Sequence, residues 1–221
     1  MTDLEAEKRA AAIAAAAEVG DGMTVGLGTG STVAHLLPAL AERHLQGLRC
    51  VATSPATATQ AQELGLPVEE FSALDSLDIA IDGADQATPA GWLVKGGGGA
   101  HLREKIVAAA AERFIVICDS SKAVDRLSPP IPLELHTFGL DATLHRLRAL
   151  GDVALRDAPT SPDGGVIADL EAPINDPASL AAVLATDPGV AEHGLFPPFL
   201  VAEILVAEGG DVRRMRPADF V

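Results

Sequence analysis

The segment Trp92–Ala111, WLVKGGGGAHLREKIVAAAA, predicts a strand, a glycine turn and a helix in succession. Four consecutive glycines weaken any helix or strand, so they are typical of a turn that lets a ligand approach the backbone closely. The helix that follows presents unpaired N–H groups and the positive end of its dipole, which suit an anion. Because Lys95 and Glu104 frame the turn, we interpret it as a proton-transfer site. The alternative is a flexible loop whose Glu104 and Lys105 are merely solvated.

The helix after the glycines carries two further predictions. Leu102, Ile106 and Ala110 recur at helical spacing, so we expect them to face the hydrophobic core. His101 falls on the first turn of this helix, and we expect it to lie at the protein surface, without a part in the chemistry.

The composition restricts the class of protein. The chain has 221 residues, of which 48% are hydrophobic and 21% charged, so it can bury a core. A net charge of −15 with only 16 Lys and Arg argues against a nucleic-acid partner. Cys50 and Cys118 lie in apolar runs, which is typical of reduced cytosolic thiols. Since neither a signal peptide nor an 18-residue apolar span is evident, we expect a soluble, cytoplasmic protein without a membrane partner.

Apolar runs alternate with helical segments over the first part of the chain. The predicted strands are Met23–Leu27, Arg49–Ala52, Leu77–Ile81, Trp92–Lys95 and Phe114–Cys118. Their hydrophobicity is continuous and does not alternate, which indicates strands buried on both faces. The predicted fold class is therefore α/β, with an open, mostly parallel Rossmann-like sheet and helices on both faces.

A proline-rich stretch at Ser128–Pro132, SPPIP, marks a change in composition. Beyond it we predict a small second α/β domain of ferredoxin-like type, which covers residues 128–198 and serves as a lid or in oligomerisation. The apolar run Phe199–Val206 is expected to return to the first sheet. The Rossmann-like catalytic domain is thus predicted to comprise residues 1–127 and 199–221.

Polar residues follow the predicted strands where the strands end. In open α/β sheets ligands bind outside the carboxyl ends of the strands, so we expect these residues to meet in one crevice. The first group, GLGTGST at Gly26–Thr32, lacks the G-x-G-x-x-G spacing of a dinucleotide site and the Gly-Lys-Ser/Thr ending of a P-loop. The Thr29, Ser31 and Thr32 hydroxyls at a helix N-terminus predict a small-phosphate site, with an ordinary helix N-cap as the alternative.

Two further groups add charge to this crevice. The sequence DGAD at Asp82–Asp85 supplies paired carboxylates, which suit metal binding, proton transfer or hydrogen bonding to sugar hydroxyls, or else a tight turn. The sequence DSSK at Asp119–Lys122 ends in an ammonium suited to a phosphate, although such a lysine is more often solvated. The histidines are scattered without metal-binding spacing, so we predict no metal. A phosphorylated sugar that loses a proton next to its carbonyl fits these groups together.

The order and spacing of four motifs resemble ribose-5-phosphate isomerase of the A type. The motifs are GLGTGST (Gly26–Thr32), IDGAD (Ile81–Asp85), VKGGGGAHLREKI (Val94–Ile106) and DSSK (Asp119–Lys122), and PGVAEHGLF (Pro188–Phe196) is similar to a later family signature. The resemblance implies an aldose–ketose isomerase that interconverts D-ribose 5-phosphate and D-ribulose 5-phosphate in the non-oxidative pentose phosphate pathway. It also implies that no metal or organic cofactor is needed, and that the protein forms a homodimer or homotetramer.

The resemblance further implies a role for each motif residue. Glu104 would be the general base that moves a proton between C2 and C1 through an enediol(ate). Lys95, with amides of the glycine turn, would stabilise the developing oxyanion, while Asp82 and Asp85 would hold sugar hydroxyls and assist ring opening and proton shuttling. The phosphate would lie near Thr32 and Lys122. The implied substrate-binding residues are Thr29, Gly30, Ser31, Thr32, Gly83, Ala84, Gly96, Gly97, Gly98 and Lys122.

Two departures from the family pattern and four alternatives remain, the first alternative being another sugar-phosphate aldose–ketose isomerase of the same broad fold. Gln86 stands where the family often has Glu, and we expect it to alter local electrostatics without abolishing activity. The loop Arg156–Gly165 resembles the family only loosely, and we expect it to affect the lid and assembly, not the chemistry. An aminosugar-phosphate deaminase would need a catalytic histidine, for which only His101 is available. A coenzyme A transferase would leave Lys122 without a purpose, and a non-catalytic sugar-phosphate sensor would normally carry a basic DNA-binding segment.

Overall fold

The computed structural model describes residues 3–217, and its centre is a six-stranded sheet. Its strands are β1 (Thr24–Leu27), β2 (Arg49–Ala52), β3 (Leu77–Gly83), β6 (Ala111–Asp119), β12 (Glu203–Glu208) and β13 (Asp211–Met215). They are arranged in the order β13-β12-β6-β3-β1-β2, and all neighbours are parallel except β12 and β13. The predicted return of the chain to this sheet is confirmed, since β12 pairs with β6.

Helices cover both faces of the central sheet. They are α1 (Leu4–Ala16), α2 (Val33–Ala41), α3 (Pro55–Glu63) and α4 (His101–Ala110). Successive residues of β6 enter different hydrophobic clusters: Ile115 packs with α1 and α2, whereas Val116 packs with Val107 of α4. A strand buried on both faces needs an apolar residue at every position, which explains the continuous apolar runs of the sequence. The predicted α/β fold class is confirmed.

A second sheet is antiparallel and lies within residues 131–193. Its strands are β7 (Ile131–Leu135), β8 (Asp152–Leu155), β9 (Val166–Glu171) and β10 (Val190–His193), accompanied by α5 (Leu140–Leu147) and α6 (Pro177–Thr186). The strand order is β10-β7-β9-β8. This small sheet has its own hydrophobic cluster, which includes Leu133, Leu144, Leu170 and Leu184. The division of the chain into two domains at residues 128 and 198 stays a prediction.

A three-stranded antiparallel sheet lies between the two larger sheets and corrects one prediction. It consists of β4 (Gln86–Ala87), β5 (Leu93–Val94) and β11 (Leu195–Phe196), in the order β11-β5-β4. The strand before the glycine turn was expected in the parallel sheet, but β5 belongs here, and the backbone N–H of Lys95 donates to the carbonyl of Gly194. Hydrophobicity marks a buried strand without showing which sheet it joins.

The burial of α4 differs from the sequence-based expectation. Ile106 is 49% exposed, whereas His101 is fully buried, together with Glu104, Val107 and Ala108. The helix contacts β3 and β6 on one side and β10 on the other, so its buried face carries polar residues that apolar spacing does not reveal. The predictions of an inward Ile106 and a surface His101 were therefore wrong. Within residues 3–217, no helix has the length and apolarity needed to cross a bilayer.

Candidate active site

Loops at the carboxyl ends of β1, β3 and β6 enclose a cavity of about 120 Å³ together with the glycine turn after β5. Its lining residues are Thr29, Gly30, Ser31, Thr32, Gly83, Ala84, Asp85, Lys95, Gly96, Gly97, Gly98, Glu104 and Lys122. Every residue predicted for the site is among them except Asp82, which lies behind Lys95. The crevice expected at the strand ends is therefore present.

A buried ammonium between two carboxylates forms the reactive part of the cavity. The Nζ atom of Lys95 lies 2.9 Å from Oδ2 of Asp82 and 3.1 Å from Oε2 of Glu104, and each of the three side chains is less than 5% exposed. Lys95 also donates to the carbonyl oxygen of Gly83 and lies 5.5 Å from the centre of the Phe196 ring. Such exclusion of water strengthens electrostatic interactions inside the site.

Burial and charge set the protonation of this cluster. Burial raises the pKa of Glu104, and the Asp82 carboxylate raises it further, while Lys95 opposes both effects. Burial also raises the pKa of Asp82 against the influence of Lys95. Although burial alone would lower the pKa of Lys95, the two carboxylates outweigh it and the pKa is raised. One cation therefore faces two potential anions, and Glu104 takes up a proton at a higher pH than an ordinary glutamate, whose pKa is about 4.3.

Backbone contacts fix the position of Asp82. Its Oδ1 atom accepts hydrogen bonds from the N–H groups of Thr29 at 3.1 Å and Gly83 at 2.7 Å. A Cβ atom at Gly28 would lie only 2.0 Å from the Asp82 carboxyl carbon, so this position of the first motif must be glycine. The β1 loop thereby packs directly against the end of β3.

The glycine turn depends on a left-handed backbone conformation. Gly96 has φ +107°, and a Cβ atom there would lie 2.7 Å from Nδ1 of His101 and 2.8 Å from Pro132. The N–H of Gly97 donates to Oδ2 of Asp85 at 2.7 Å, which fixes this carboxylate at the cavity wall. The turn therefore brings backbone amides and Asp85 together beside Lys95.

Hydroxyl groups and a lysine line the other end of the cavity. Thr32 immediately precedes α2, and its side chain makes no capping hydrogen bond, so the ordinary N-cap alternative is not observed. The hydroxyl of Thr29 instead contacts those of Thr53, Ser54 and Thr57 at 2.8, 2.9 and 3.2 Å. Within residues 3–217 Lys122 forms no ion pair, which leaves its ammonium available to an anion.

The sequence analysis missed Glu7, which supports the Lys122 turn. Glu7 is only 3% exposed, and its Oε2 accepts hydrogen bonds from the N–H and hydroxyl of Ser120 at 3.0 and 2.7 Å. Its Oε1 accepts from the N–H of Gly209 at 3.1 Å. These hydrogen bonds lower the pKa of Glu7, the Ser120 hydroxyl having the largest effect. The only sequence signal was a single acidic residue on the buried face of an alanine-rich helix.

The cavity beside Lys95 and Glu104 is smaller than another in the molecule, so cavity volume alone would indicate a different site. A larger cavity of about 740 Å³ lies between α3 and α4, near Phe71, Arg103 and Asp163. Among its described lining residues the only cation, Arg103, is already neutralised, since its guanidinium bonds to the Asp163 carboxylate at 2.8 and 2.9 Å. The small cavity, in contrast, holds the buried groups with shifted pKa values, which are typical of an active site. Among residues 3–217, no three or more His, Cys, Asp or Glu side chains are grouped to hold a metal ion.

Comparison with known proteins agrees with this geometry. The family model for ribose 5-phosphate isomerase A (phosphoriboisomerase A) matches residues 49–210. The chain belongs to the ribose-5-phosphate isomerase A family. It is 46% identical to ribose-5-phosphate isomerase A of Sphingopyxis alaskensis over 205 residues, which covers 89% of this chain and 90% of the relative.

Solved isomerase structures are also similar over nearly the whole chain. The crystal structure of ribose 5-phosphate isomerase A from Neisseria gonorrhoeae superposes with a TM-score of 0.94 at 32% identity, covering 98% of this chain and 99% of that one. A D-ribose-5-phosphate isomerase solved in complex with phospho-erythronic acid gives a TM-score of 0.92 at 32% identity, covering 97% and 99%. The predicted family, isomerase activity and α/β fold are confirmed.

The alternative activities are not favoured by these findings. The only histidine of the site motifs, His101, does not line the cavity, and burial lowers its pKa to about 4. The deaminase alternative therefore has no histidine at the site. Membership of an isomerase family over most of the chain likewise disfavours a sensor or a coenzyme A transferase.

Proposed function

We propose that Glu104 is the general base with which this chain carries out the reaction of its family, the interconversion of D-ribose 5-phosphate and D-ribulose 5-phosphate. The observation that carries this proposal is the buried contact of Glu104 with Lys95 at the wall of the cavity, 3.1 Å between charged atoms. A base with a raised pKa exchanges protons more readily near neutral pH than an ordinary carboxylate does. Lys95, which stays protonated, supplies the positive charge that the reaction needs.

The chemical step is a proton transfer through an enediolate. Glu104 takes the proton from C2 of the open-chain aldose, and the electron pair forms the C1–C2 double bond while O1 gains negative charge. Return of that proton to C1, with transfer of the O2 proton to O1, yields the ketose. Because a sugar C–H is a weak acid, stabilisation of the enediolate by Lys95 and by amides of the glycine turn dominates the rate.

The two aspartates have different positions and therefore different proposed roles. Asp85 lines the cavity and is held by the Gly97 N–H, so it is placed to hold sugar hydroxyls and to assist ring opening. Asp82 lies behind Lys95 and acts on the oxygen protons through that ammonium. Loss of Asp85 would slow the conversion of the ring form into the reactive open chain, whereas loss of Asp82 would slow the transfer of the proton between O2 and O1.

The phosphate is proposed to bind at the end of the cavity farthest from this chemistry. The uncapped N-terminus of α2, with Ser31 and Thr32, provides N–H groups, hydroxyls and a positive dipole. Lys122 adds a full positive charge from the loop after β6. Such remote contacts anchor the substrate in the reactive pose.

The wider setting is also a proposal. We infer that the protein works in the cytoplasm without a metal or organic cofactor, in the non-oxidative pentose phosphate pathway, and that residues 128–198 form a lid or oligomerisation domain. A homodimer or homotetramer is supported by two aromatic side chains, Phe138 and Phe199, which are 95% and 84% exposed in the single chain. Analytical ultracentrifugation of wild type and Phe199→Ser tests this assembly, which a monomeric wild type would contradict.

Replacement of the base tests the assignment of Glu104. We expect Glu104→Gln to lower kcat by roughly 10²- to 10⁴-fold, the range of general acid–base catalysis. Phospho-erythronic acid, with which a relative was solved, should still bind because its phosphate contacts are intact. The matched control is Glu112→Gln, an exposed glutamate at the start of β6, which should leave kcat unchanged. Full turnover in Glu104→Gln would refute the assignment.

A further inference from the structure

Arg156 contacts the glycine turn from outside the active-site cavity. It lies just after β8, and its Nη1 donates hydrogen bonds to the carbonyl oxygens of Gly96 at 2.8 Å and Gly97 at 3.0 Å. Arg156 does not line the active-site cavity; it lines a separate one, of about 260 Å³, on another side of the turn. The guanidinium therefore binds the backbone of the turn and does not enter the cavity proposed for the substrate.

The planar peptide group links these carbonyls to the N–H groups that follow them. In a trans peptide, the C=O of one residue and the N–H of the next point in opposite directions. The Gly97 N–H is thus turned away from Arg156, and it donates to Asp85 at 2.7 Å. The Gly98 N–H is turned away in the same manner. It has no hydrogen-bond partner in the described part of the chain, and Gly98 lines the active-site cavity.

The orientation of Arg156 is itself fixed by the small sheet. Its Nε and Nη2 bond to the two carboxylate oxygens of Asp169, on β9, at 2.7 and 2.6 Å. A bidentate pair of this kind fixes the plane of the guanidinium. A lysine could not replace it, because a single ammonium lacks the fork that binds a carboxylate on one side and two carbonyls on the other.

We propose that Arg156 is a positioning residue for the isomerase reaction. By binding the Gly96 and Gly97 carbonyls, it directs the Gly97 N–H to Asp85 and the Gly98 N–H to the oxyanion of the enediolate. The inference rests on the site proposed above and extends it to the small sheet. The loop 156–165, expected to affect only the lid and assembly, thereby acts on the chemistry.

The test compares Arg156 with Arg146, which lies on α5 beside the small sheet. Arg146 makes a similar bidentate pair with Asp187, at 2.8 and 2.7 Å, but it does not contact the glycine turn. Removal of one oxyanion donor costs about 10²- to 10³-fold in kcat, so misalignment of a donor in Arg156→Met should lower kcat by roughly 10- to 100-fold. Arg146→Met should keep the kcat of wild type. The Kd of ribitol 5-phosphate, which has no carbonyl, should be that of wild type in Arg146→Met and should change far less than kcat in Arg156→Met, because its phosphate contacts do not involve Arg156.

A conservative variant separates positioning from folding. Arg156→Lys keeps the charge opposite Asp169, so we expect it to retain the melting temperature of wild type and still show a lowered kcat. Wild-type kcat in either Arg156 variant would overturn the proposal, as would an equal loss of ribitol 5-phosphate binding and turnover in the folded variants. The assignment of Glu104 as the base is tested separately, by Glu104→Gln with Arg156 intact, so the two proposals can fail independently.

Discussion

Two lysines, the buried Lys95 and the half-buried Lys105, lie against the same phenylalanine ring, and they differ in the charges around them. Lys95 is 5.5 Å and Lys105 is 4.8 Å from the centre of the Phe196 ring. Lys95 faces two carboxylates, those of Asp82 and Glu104. Lys105 faces one, that of Glu192 at 2.6 Å, and it also donates to the backbone carbonyl of His193 at 2.7 Å.

The balance of charge gives these two clusters different properties. Around Lys105, burial would raise the pKa of Glu192, but the ammonium outweighs burial and the pKa is lowered. Burial lowers the pKa of Lys105, although Glu192 opposes this. In the other cluster, the pKa values of Lys95 and Glu104 are both raised, because two carboxylates compete for one cation. The balanced cluster joins α4 to β10, whereas the cluster with an excess carboxylate lies beside the cavity and can exchange a proton.

The largest difference is expected when each lysine is removed. Lys95→Met should lower kcat by roughly 10³-fold or more, because a buried charge that stabilises the enediolate contributes at least as much as one oxyanion-hole donor. Lys105→Met should retain most of its kcat and instead lose stability, since Glu192 would be left without its cation. Steady-state kinetics and thermal denaturation of both variants measure this difference. Equal losses of kcat would show that the two clusters share one role.

A smaller effect is expected in the pH dependence. Glu104 must be deprotonated to act as base, so kcat/KM should fall as the pH drops through its raised pKa, which lies above that of an ordinary glutamate. Asp82→Asn removes a charge that raises this pKa, so the acidic limb of the profile should move to lower pH. Glu192→Gln, in the balanced cluster, should leave the limb in place. An acidic limb that does not move in Asp82→Asn would contradict the coupling of the two carboxylates.

The smallest effects should appear in stability. A carboxyl group whose pKa is raised in the folded state favours folding below its unfolded pKa, and this contribution is lost as the pH rises through the folded pKa. The amide of Glu104→Gln does not ionise, so the variant keeps its stability as the pH rises. Its melting temperature at neutral pH should therefore exceed that of wild type. Glu192→Gln should lower the melting temperature, because the pKa of Glu192 is lowered on folding and the carboxylate stabilises the protein above its unfolded pKa. Differential scanning calorimetry across pH measures both, and a destabilised Glu104→Gln would count against excess charge at the site.

The cavity could be predicted from sequence because its residues lie in short motifs after strands. GLGTGST and DGAD follow β1 and β3, and the topology of a parallel sheet places their loops side by side. The small α/β unit was also recognisable from the change in composition at Ser128–Pro132. The bounds of strands shifted by a few residues, since hydrophobic runs end gradually.

Other features depend on contacts between distant segments and left little signal. Arg156 reaches a turn 60 residues away, and neither its own loop nor the glycine motif indicates this contact. His101 is buried because α4 lies between two sheets, which the apolar spacing of one helix does not reveal. The segment Val190–Phe196 divides between two sheets, as β10 and β11, at Gly194, where a Cβ atom would lie 2.2 Å from the Lys95 carbonyl oxygen.

The proton transfer itself provides the most direct test of the proposed site. In deuterated buffer, NMR follows exchange of the C2 proton of ribose 5-phosphate with solvent during turnover. We predict that wild type exchanges this proton as it forms ribulose 5-phosphate, and that Glu104→Gln loses exchange and turnover together while it still binds ribitol 5-phosphate. Exchange of the C2 proton at the wild-type rate in Glu104→Gln would show that another group is the base and would contradict the account.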